Sequence, residues 1–212
     1  MISLYKWLFG ANSASCCPCV SSIVLYATKV HRSYKEGIAK LKRIDFIELE
    51  TYFDVIDELN SQQGINRKKQ ALTFYPGSPA IAHQYVTRPE REKDKAWLFE
   101  LHSSDFRILS ESMATDSKAT ERKIRIKLED GLKGLLGLVP PVSRRALVLI
   151  DPSYEMKNDY SDVVDTVIKA HKKFNSGTYG IWYPVVDRKR VDFMLRKLKQ
   201  SGIKNIHQYE HG

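Results

Sequence analysis

The 212-residue sequence lacks any run of about 18–20 apolar residues, the length a membrane-crossing helix needs. Its opening, Met1 to Phe9, carries one positive charge and an apolar run below the ~7–15 residues of a secretion signal's core. A cytoplasmic location without membrane contact is therefore expected. Cysteine is scarce and confined to Cys16-Cys17-Pro18-Cys19. Three thiols cannot pair off into a closed disulfide framework. With no second cysteine pair and no histidine at finger spacing, they are expected to stay reduced and to hold no metal. Acidic residues are also in deficit, 25 against 34 Lys and Arg, for a net charge of +9. The sequence pI is about 9.4. Such an excess suits a polyanion, whose condensed counterions are released when its phosphates are neutralised. Many basic proteins bind no nucleic acid, so charge alone does not decide. No internal repeat and no low-complexity tract is present.

What is present reads as alternating strands and helices. Ser21 to Thr28 (SSIVLYAT) fits a buried strand or one side of a helix, and is too short to decide. From Tyr34 to Leu59 the spacing predicts two short helices joined near Asp45, with Ile38, Leu41, Ile44 and Ile47, then Leu49, Tyr52, Val55, Ile56 and Leu59. A polar loop with Gly64 follows, then the apolar run Ala71 to Tyr75 and the turn Pro76-Gly77-Ser78-Pro79. Ala80 to Tyr85 suits a helix begun at Ser78 or Pro79. Ala96 to Leu101 predicts a buried strand, Ser104 to Ser112 a helix, Lys123 to Leu128 an alternating strand and Leu132 to Leu138 a helix. Ala146 to Ile150 is apolar throughout, as a central parallel strand is. A helix over Tyr160 to Lys173, a strand over Gly180 to Val185, a basic helix over Asp187 to Gln200 and a last strand over Ile203 to Tyr209 complete the chain. This order implies βαβ units and a mostly parallel sheet.

In open α/β sheets ligands bind beyond the carboxyl ends of the strands. Three expected strands end in an acid or an acid-containing turn: Glu100, Asp130 and Asp151. A carboxylate there is placed to bond ribose hydroxyls or an adenine amine. A helix N-cap or a solvated loop acid explains any single one as well; three at equivalent places favour a ligand edge. Asp151-Pro152-Ser153-Tyr154 is the sharpest feature. An exocyclic adenine amine is a poor nucleophile because its lone pair is conjugated into the ring. The Asp151 carboxylate and the Pro152 carbonyl can both accept hydrogen bonds from that NH₂, favouring a tetrahedral nitrogen and stabilising developing positive charge. Tyr154 can stack on a base that has left its helix. A Pro-containing turn after a strand is the plainer explanation of the four residues.

The tetrapeptide resembles the Asp-Pro-Pro-Tyr motif of amino methyltransferases. Around it, Val139-Pro140-Pro141-Val142-Ser143-Arg144-Arg145, Glu155-Met156-Lys157, Trp182-Tyr183-Pro184-Val185-Val186, Tyr75-Pro76-Gly77-Ser78-Pro79 and Glu100-Leu101-His102 resemble the RlmJ family of 23S ribosomal RNA adenine-N6 methyltransferases. The resemblance runs from about Tyr34 to Glu210. It implies a Rossmann-like class I S-adenosylmethionine-dependent methyltransferase sheet, with a helical insertion over residues 34–74 and a core over 75–212. It also implies rRNA processing in the cytoplasm, by a monomer acting on 23S rRNA free of ribosomal proteins, without a metal. Carried over residue by residue, it assigns Asp151, Pro152 and Tyr154 to catalysis. It assigns Ser78, Glu100, Asp130, Gly131 and Asp151 to the cofactor.

The sequence departs from the family pattern twice. Ser153 stands where the family has a second proline, which reduces backbone rigidity. Residues 1–33 form an atypical segment without the family's glycine-containing first cofactor loop, and the chain stops at Gly212. The fold is thus expected to be incomplete at both termini, with its central first strand missing unless Ser21 to Ala27 substitutes for it. For RNA contact, Arg144 and Arg145 flank the motif strand, while Arg188, Lys189, Arg190, Arg196, Lys197 and Lys199 crowd the later helix. Val191, Phe193, Met194 and Leu198 give that helix a core side, so a solvated amphipathic face competes with phosphate binding. Beside 23S rRNA methylation stand two alternatives, a non-catalytic RNA-binding remnant and a methyltransferase for DNA adenine.

Overall fold

The computed structural model describes residues 22–26, 47–62, 64, 76–114 and 122–210, with the backbone alone for 22–26. The cysteine cluster, the part of the first helical stretch before Ile47, and the Ala71 to Tyr75 run lie outside the described residues. The described residues form two compact units, divided between Gln84 and Tyr85, with residues 22–26 belonging to the second.

In the first unit a 3-10 turn, Ile47–Leu49, runs into helix α1 (Glu50–Gln62). Leu49, Tyr52, Phe53, Val55 and Ile56 are its buried face. Asn60 is buried as well, and its side chain donates to the Ile56 carbonyl at 2.8 Å. Helix α2 (Ser78–Val86) opens at Ser78, as the Pro-Gly-Ser-Pro turn predicts.

The second unit is built on five strands: β1 (Ser22–Tyr26), β2 (Lys95–Glu100), β3 (Ile124–Leu128), β4 (Leu147–Ile150) and β5 (Thr178–Ile181). All neighbours are parallel and the order is β3-β2-β1-β4-β5. The ambiguous SSIVLYAT run is thus a strand, and the central one. It pairs with β2 from Ser22↔Lys95 to Tyr26↔Phe99 and with β4 from Ile23↔Leu147 to Leu25↔Leu149. Its β-branched and aromatic residues suit that place. The connections carry helices α3 (Ser103–Ser112), α4 (Gly131–Leu138), α5 (Asp159–Lys173) and α6 (Arg188–Gln200).

The core lies against β4. Val148 and Ile150 pack with Phe99 of β2, Leu135 of α4, Val163, Val164, Val167 and Ala170 of α5, and Val191, Met194, Leu195 and Leu198 of α6. Burying each such aliphatic side chain contributes about 1.5–3 kcal/mol. The α6 set follows i, i+3, i+4, i+7 spacing. Phe193, expected on that side, is instead 43% exposed, with the Lys197 ammonium 5.6 Å from its ring centroid.

Two strand expectations need correction at the C-terminal side. A strand is expected over Gly180 to Val185, but β5 begins at Thr178, whose amide donates to the Ala146 carbonyl, and ends at Ile181. Proline 184 has no N–H for a ladder, and its carbonyl accepts the Tyr160 hydroxyl at 2.8 Å instead. Ile203 to Tyr209 forms no strand. It leaves α6 through Gly202 at φ +82°, and Asn205 adopts φ +60°, which breaks the extended run that pairing requires.

Candidate functional site

The strand order reverses between β1 and β4. That is where an open parallel sheet makes its ligand crevice. β4 delivers Asp151 directly to this edge, because an apolar run that ends at Ile150 must stop where water returns.

Asp151 is largely buried, and that desolvation pushes its carboxyl up from 3.8 to about 6. Pro152 behind it is buried and Ser153 is exposed. Tyr154 adopts φ +54°, the left-handed region that bulky side chains avoid at a cost on the order of 1 kcal/mol. The turn is held there by packing. The Tyr154 ring lies 4.5 Å from that of Tyr160, centroid to centroid and tilted 45°, and rests against the core. Its hydroxyl is buried and finds no hydrogen-bond partner among the described residues. Burial, then the neighbouring Asp151 charge, raise that phenol far above its ordinary value. It stays protonated at any working pH.

Glu100 closes β2 and is only 4% exposed. One carboxylate oxygen accepts the His102 amide at 3.0 Å. The ladder continues past it, the Glu129 amide donating to the Glu100 carbonyl, and so brings the β3 turn alongside. Asp130 then caps α4: its Oδ1 accepts the Leu132 amide at 2.9 Å, with Lys133 3.9 Å from Oδ2. The N-cap explanation thus holds for Asp130, at the amide-rich start of the helix beside Gly131. Gly134, one turn on, lets α4 sit flat on β2, since a Cβ there would collide with the Phe99 ring.

Glu100, Asp130, Gly131, Asp151 and Pro152 therefore all stand at carboxyl ends of one sheet. Ser78 begins α2 in the first unit. Arg144 and Arg145 precede β4 and lie at its amino end, separated from Asp151 by the length of the strand, roughly 13 Å at about 3.3 Å per residue. Arg188 and Lys189, in contrast, open α6 just after β5. The Arg188 guanidinium is already engaged, by Asp192 at 2.9 Å and Glu210 at 2.6 Å. Asp187 caps the helix by accepting the Lys189 and Arg190 amides. Among the described residues, no three His, Cys, Asp or Glu side chains gather as a metal site.

Two residues at this edge were given no role from sequence. Tyr160 joins the motif turn to the loop after β5, through the Tyr154 ring and the Pro184 carbonyl. Trp182 follows β5 immediately, and its amide donates to the Ile150 carbonyl at 2.9 Å, which sets it beside Asp151. Reading Gly180 to Val185 as strand interior hid this residue; the proline at 184 was the available signal.

A family model described as "Ribosomal RNA large subunit methyltransferase D, RlmJ" matches residues 25–212. Two curated relatives carry the description "Ribosomal RNA large subunit methyltransferase J". That of Escherichia coli (strain K12) is 41% identical over 179 residues, 84% of this chain and 58% of the relative. That of Haemophilus influenzae is 37% identical over 178 residues, with the same coverage. The chain thus spans less than two thirds of the length of these relatives. A crystal structure of a Legionella pneumophila protein superposes with a TM-score of 0.69 at 27% identity, covering 94% of this chain and 71% of that one.

Proposed function

The chain belongs to the RlmJ family of ribosomal RNA large subunit methyltransferases, and on that premise we propose that it transfers a methyl group from S-adenosylmethionine to the N6 amine of an adenine in 23S ribosomal RNA. The observation that carries this reading is Asp151-Pro152 at the carboxyl end of β4, beside the point where the strand order reverses. The sheet is read as Rossmann-like and class I, on its 3-2-1-4-5 order. The helical insertion is assigned within residues 34–74 and the methyltransferase core within 75–212, together with β1.

The donor set fits the cofactor. Glu100 is a buried carboxylate with one oxygen taken by an amide, which suits it to receive ribose hydroxyls on the other. Asp130 and Gly131, at a helix start next to it, suit the amine and ring edge of the adenine. S-adenosylmethionine supplies an electrophilic methyl group. The chain's own part is to present the nucleophile. Asp151 accepts one N6 hydrogen and the Pro152 carbonyl the other, which draws the lone pair out of conjugation and toward the methyl. The preference of Asp151 for a proton up to about pH 6 reflects a site poor in water, where such bonds are strong. Tyr154 offers the ring face not covered by Tyr160 to the target base. Lys189 and Arg188 lie on the side where the RNA backbone would pass.

Calorimetric titration of S-adenosylmethionine, joined to methylation of a protein-free 23S rRNA transcript, tests the proposal. Saturable cofactor binding is expected, weakened by Glu100→Ala. Methylation of the transcript is expected to be lost in Asp151→Ala and to exceed that of adenine-containing DNA. A protein that binds the transcript but no cofactor would be an RNA-binding remnant, and equal activity on DNA would move the substrate class.

A further inference from the structure

Several exposed apolar side chains of the second unit gather at the edge that carries Asp151. Trp182, Val185 and Val186 occupy the loop after β5, and Met156 the loop after β4. Trp182 is 45% exposed although its backbone is fixed. Its amide bond to Ile150 extends the β4–β5 register one residue beyond Ile150↔Ile181. The loop around it is pinned as well. The Tyr160 hydroxyl holds the Pro184 carbonyl, and the Tyr183 hydroxyl donates to Glu210 at 3.1 Å. A nearly half-exposed indole on a fixed backbone leaves a large apolar face hydrated.

What would cover it is indicated by charge. The same loop leads straight into α6, whose first residues are Arg188 and Lys189. A flat apolar ring on a fixed backbone, followed along the chain by cations, suits an unpaired nucleotide: a surface for the base and a countercharge for its phosphate. The parallel register puts the backbones of Trp182 and Asp151 about 4.8 Å apart. A base whose amine reached Asp151 would bring its strand neighbour over the indole. We propose that Trp182 is the stacking platform for the unpaired nucleobase flanking the target adenine, with Lys189 facing the phosphate of the same strand.

The proposal rests on the methyl-transfer reading, and its test separates the two. The whole chain and its Trp182→Ala and Trp182→Phe variants are titrated with single-stranded oligoadenylate, following indole emission and anisotropy. S-adenosylmethionine binding and the kinetics on a 23S rRNA transcript are measured in parallel. Oligoadenylate is expected to quench emission of the wild-type protein, and the quench to vanish in Trp182→Phe, where the other tryptophans remain. Trp182→Ala is expected to bind oligoadenylate roughly tenfold more weakly. Its KM for the transcript should rise with kcat less affected and cofactor binding kept, and Trp182→Phe should recover most of the loss. A quench that persists in Trp182→Phe, or a Trp182→Ala protein with wild-type oligoadenylate affinity, overturns the proposal. So does a concentration-dependent dimer abolished by Trp182→Ala without any quench, which would assign the patch to a second copy of the chain. If the wild-type protein shows the Trp182 quench but transfers no methyl group, stacking stands and methyl transfer fails. If it methylates the transcript and Trp182→Ala does so with an unchanged KM, the reverse holds.

Discussion

Asp151 carries opposite consequences for folding and for chemistry. Its carboxyl is held at about 6 rather than 3.8 because the turn after β4 removes it from water. Between about pH 4 and pH 6 the folded chain therefore keeps a proton that the unfolded chain releases. Stability falls as pH rises through that window and stays lower above it, by about 3 kcal/mol at 1.36 kcal/mol per pKa unit. On the proposed reading, however, the amine needs the ionised carboxylate. The expected outcome is a kcat/KM that falls about tenfold per pH unit below about pH 6. Asp151→Asn should abolish methylation while raising the melting temperature at pH 8, with little change at pH 4. Thermal melts at the two pH values and a pH–rate profile check both halves. A profile flat down to pH 5, or an Asn variant no more stable at pH 8, would show that the carboxylate is neither desolvated nor the group in use. Of this site, the place of the tetrapeptide was legible from sequence, because the uninterrupted apolar run before it marks a strand that ends at Ile150. The left-handed turn at Tyr154 and the ring of Tyr160 beneath it were not, since no local pattern marks a strained non-glycine residue held by a contact six positions away.

At the scale of elements, legibility follows how strongly a segment's pattern constrains its place. Ala146 to Ile150 is apolar without interruption, and only the middle of a parallel sheet accommodates that; β4 occupies Leu147–Ile150. Helices α3 to α6 fall within one residue of the spans their periodicity predicts. The SSIVLYAT run could not be assigned, because five or six apolar residues fit a strand and a helix equally; its pairing with β2 and β4 is a tertiary fact. The segment over Ile203 to Tyr209 failed for the complementary reason, having strand composition but no ladder to join. Asp130 shows how the two levels can be separated by experiment. As the cap of α4 it is replaceable by Asn, which caps equally well, whereas Ala should cost about 1 kcal/mol of stability. As a proposed cofactor ligand its charge counts too. Asp130→Asn is therefore expected to melt like the wild type and bind S-adenosylmethionine more weakly, and Asp130→Ala to lose both. Calorimetry beside thermal melts reads the difference, and an Asn variant with unchanged cofactor affinity would reduce Asp130 to a cap alone.

Across the whole molecule the charge of +9 suits a polyanion without deciding that one binds, and says nothing about where. The sheet supplies that distinction. Arg144 and Arg145 lie at the amino end of β4, while Arg188 and Lys189 follow β5 at the end where Asp151 stands. On the proposed reading, RNA engaged for chemistry lies on the second edge. Each phosphate neutralised on single-stranded RNA steepens the fall of log K against log salt by about 0.7. Lys189→Ala is therefore expected to make the slope for oligoadenylate shallower by about that amount, and Arg144→Ala to leave it unchanged. Arg188→Ala should behave less simply. That guanidinium is shared between Asp192 and Glu210, so its removal exposes two carboxylates to the RNA and weakens binding beyond the loss of one contact. Binding isotherms over a series of salt concentrations provide the slopes. If Arg144→Ala lowered the slope and Lys189→Ala did not, the backbone would cross the amino edge of the sheet, and no bound strand could then reach Asp151 without wrapping around β4.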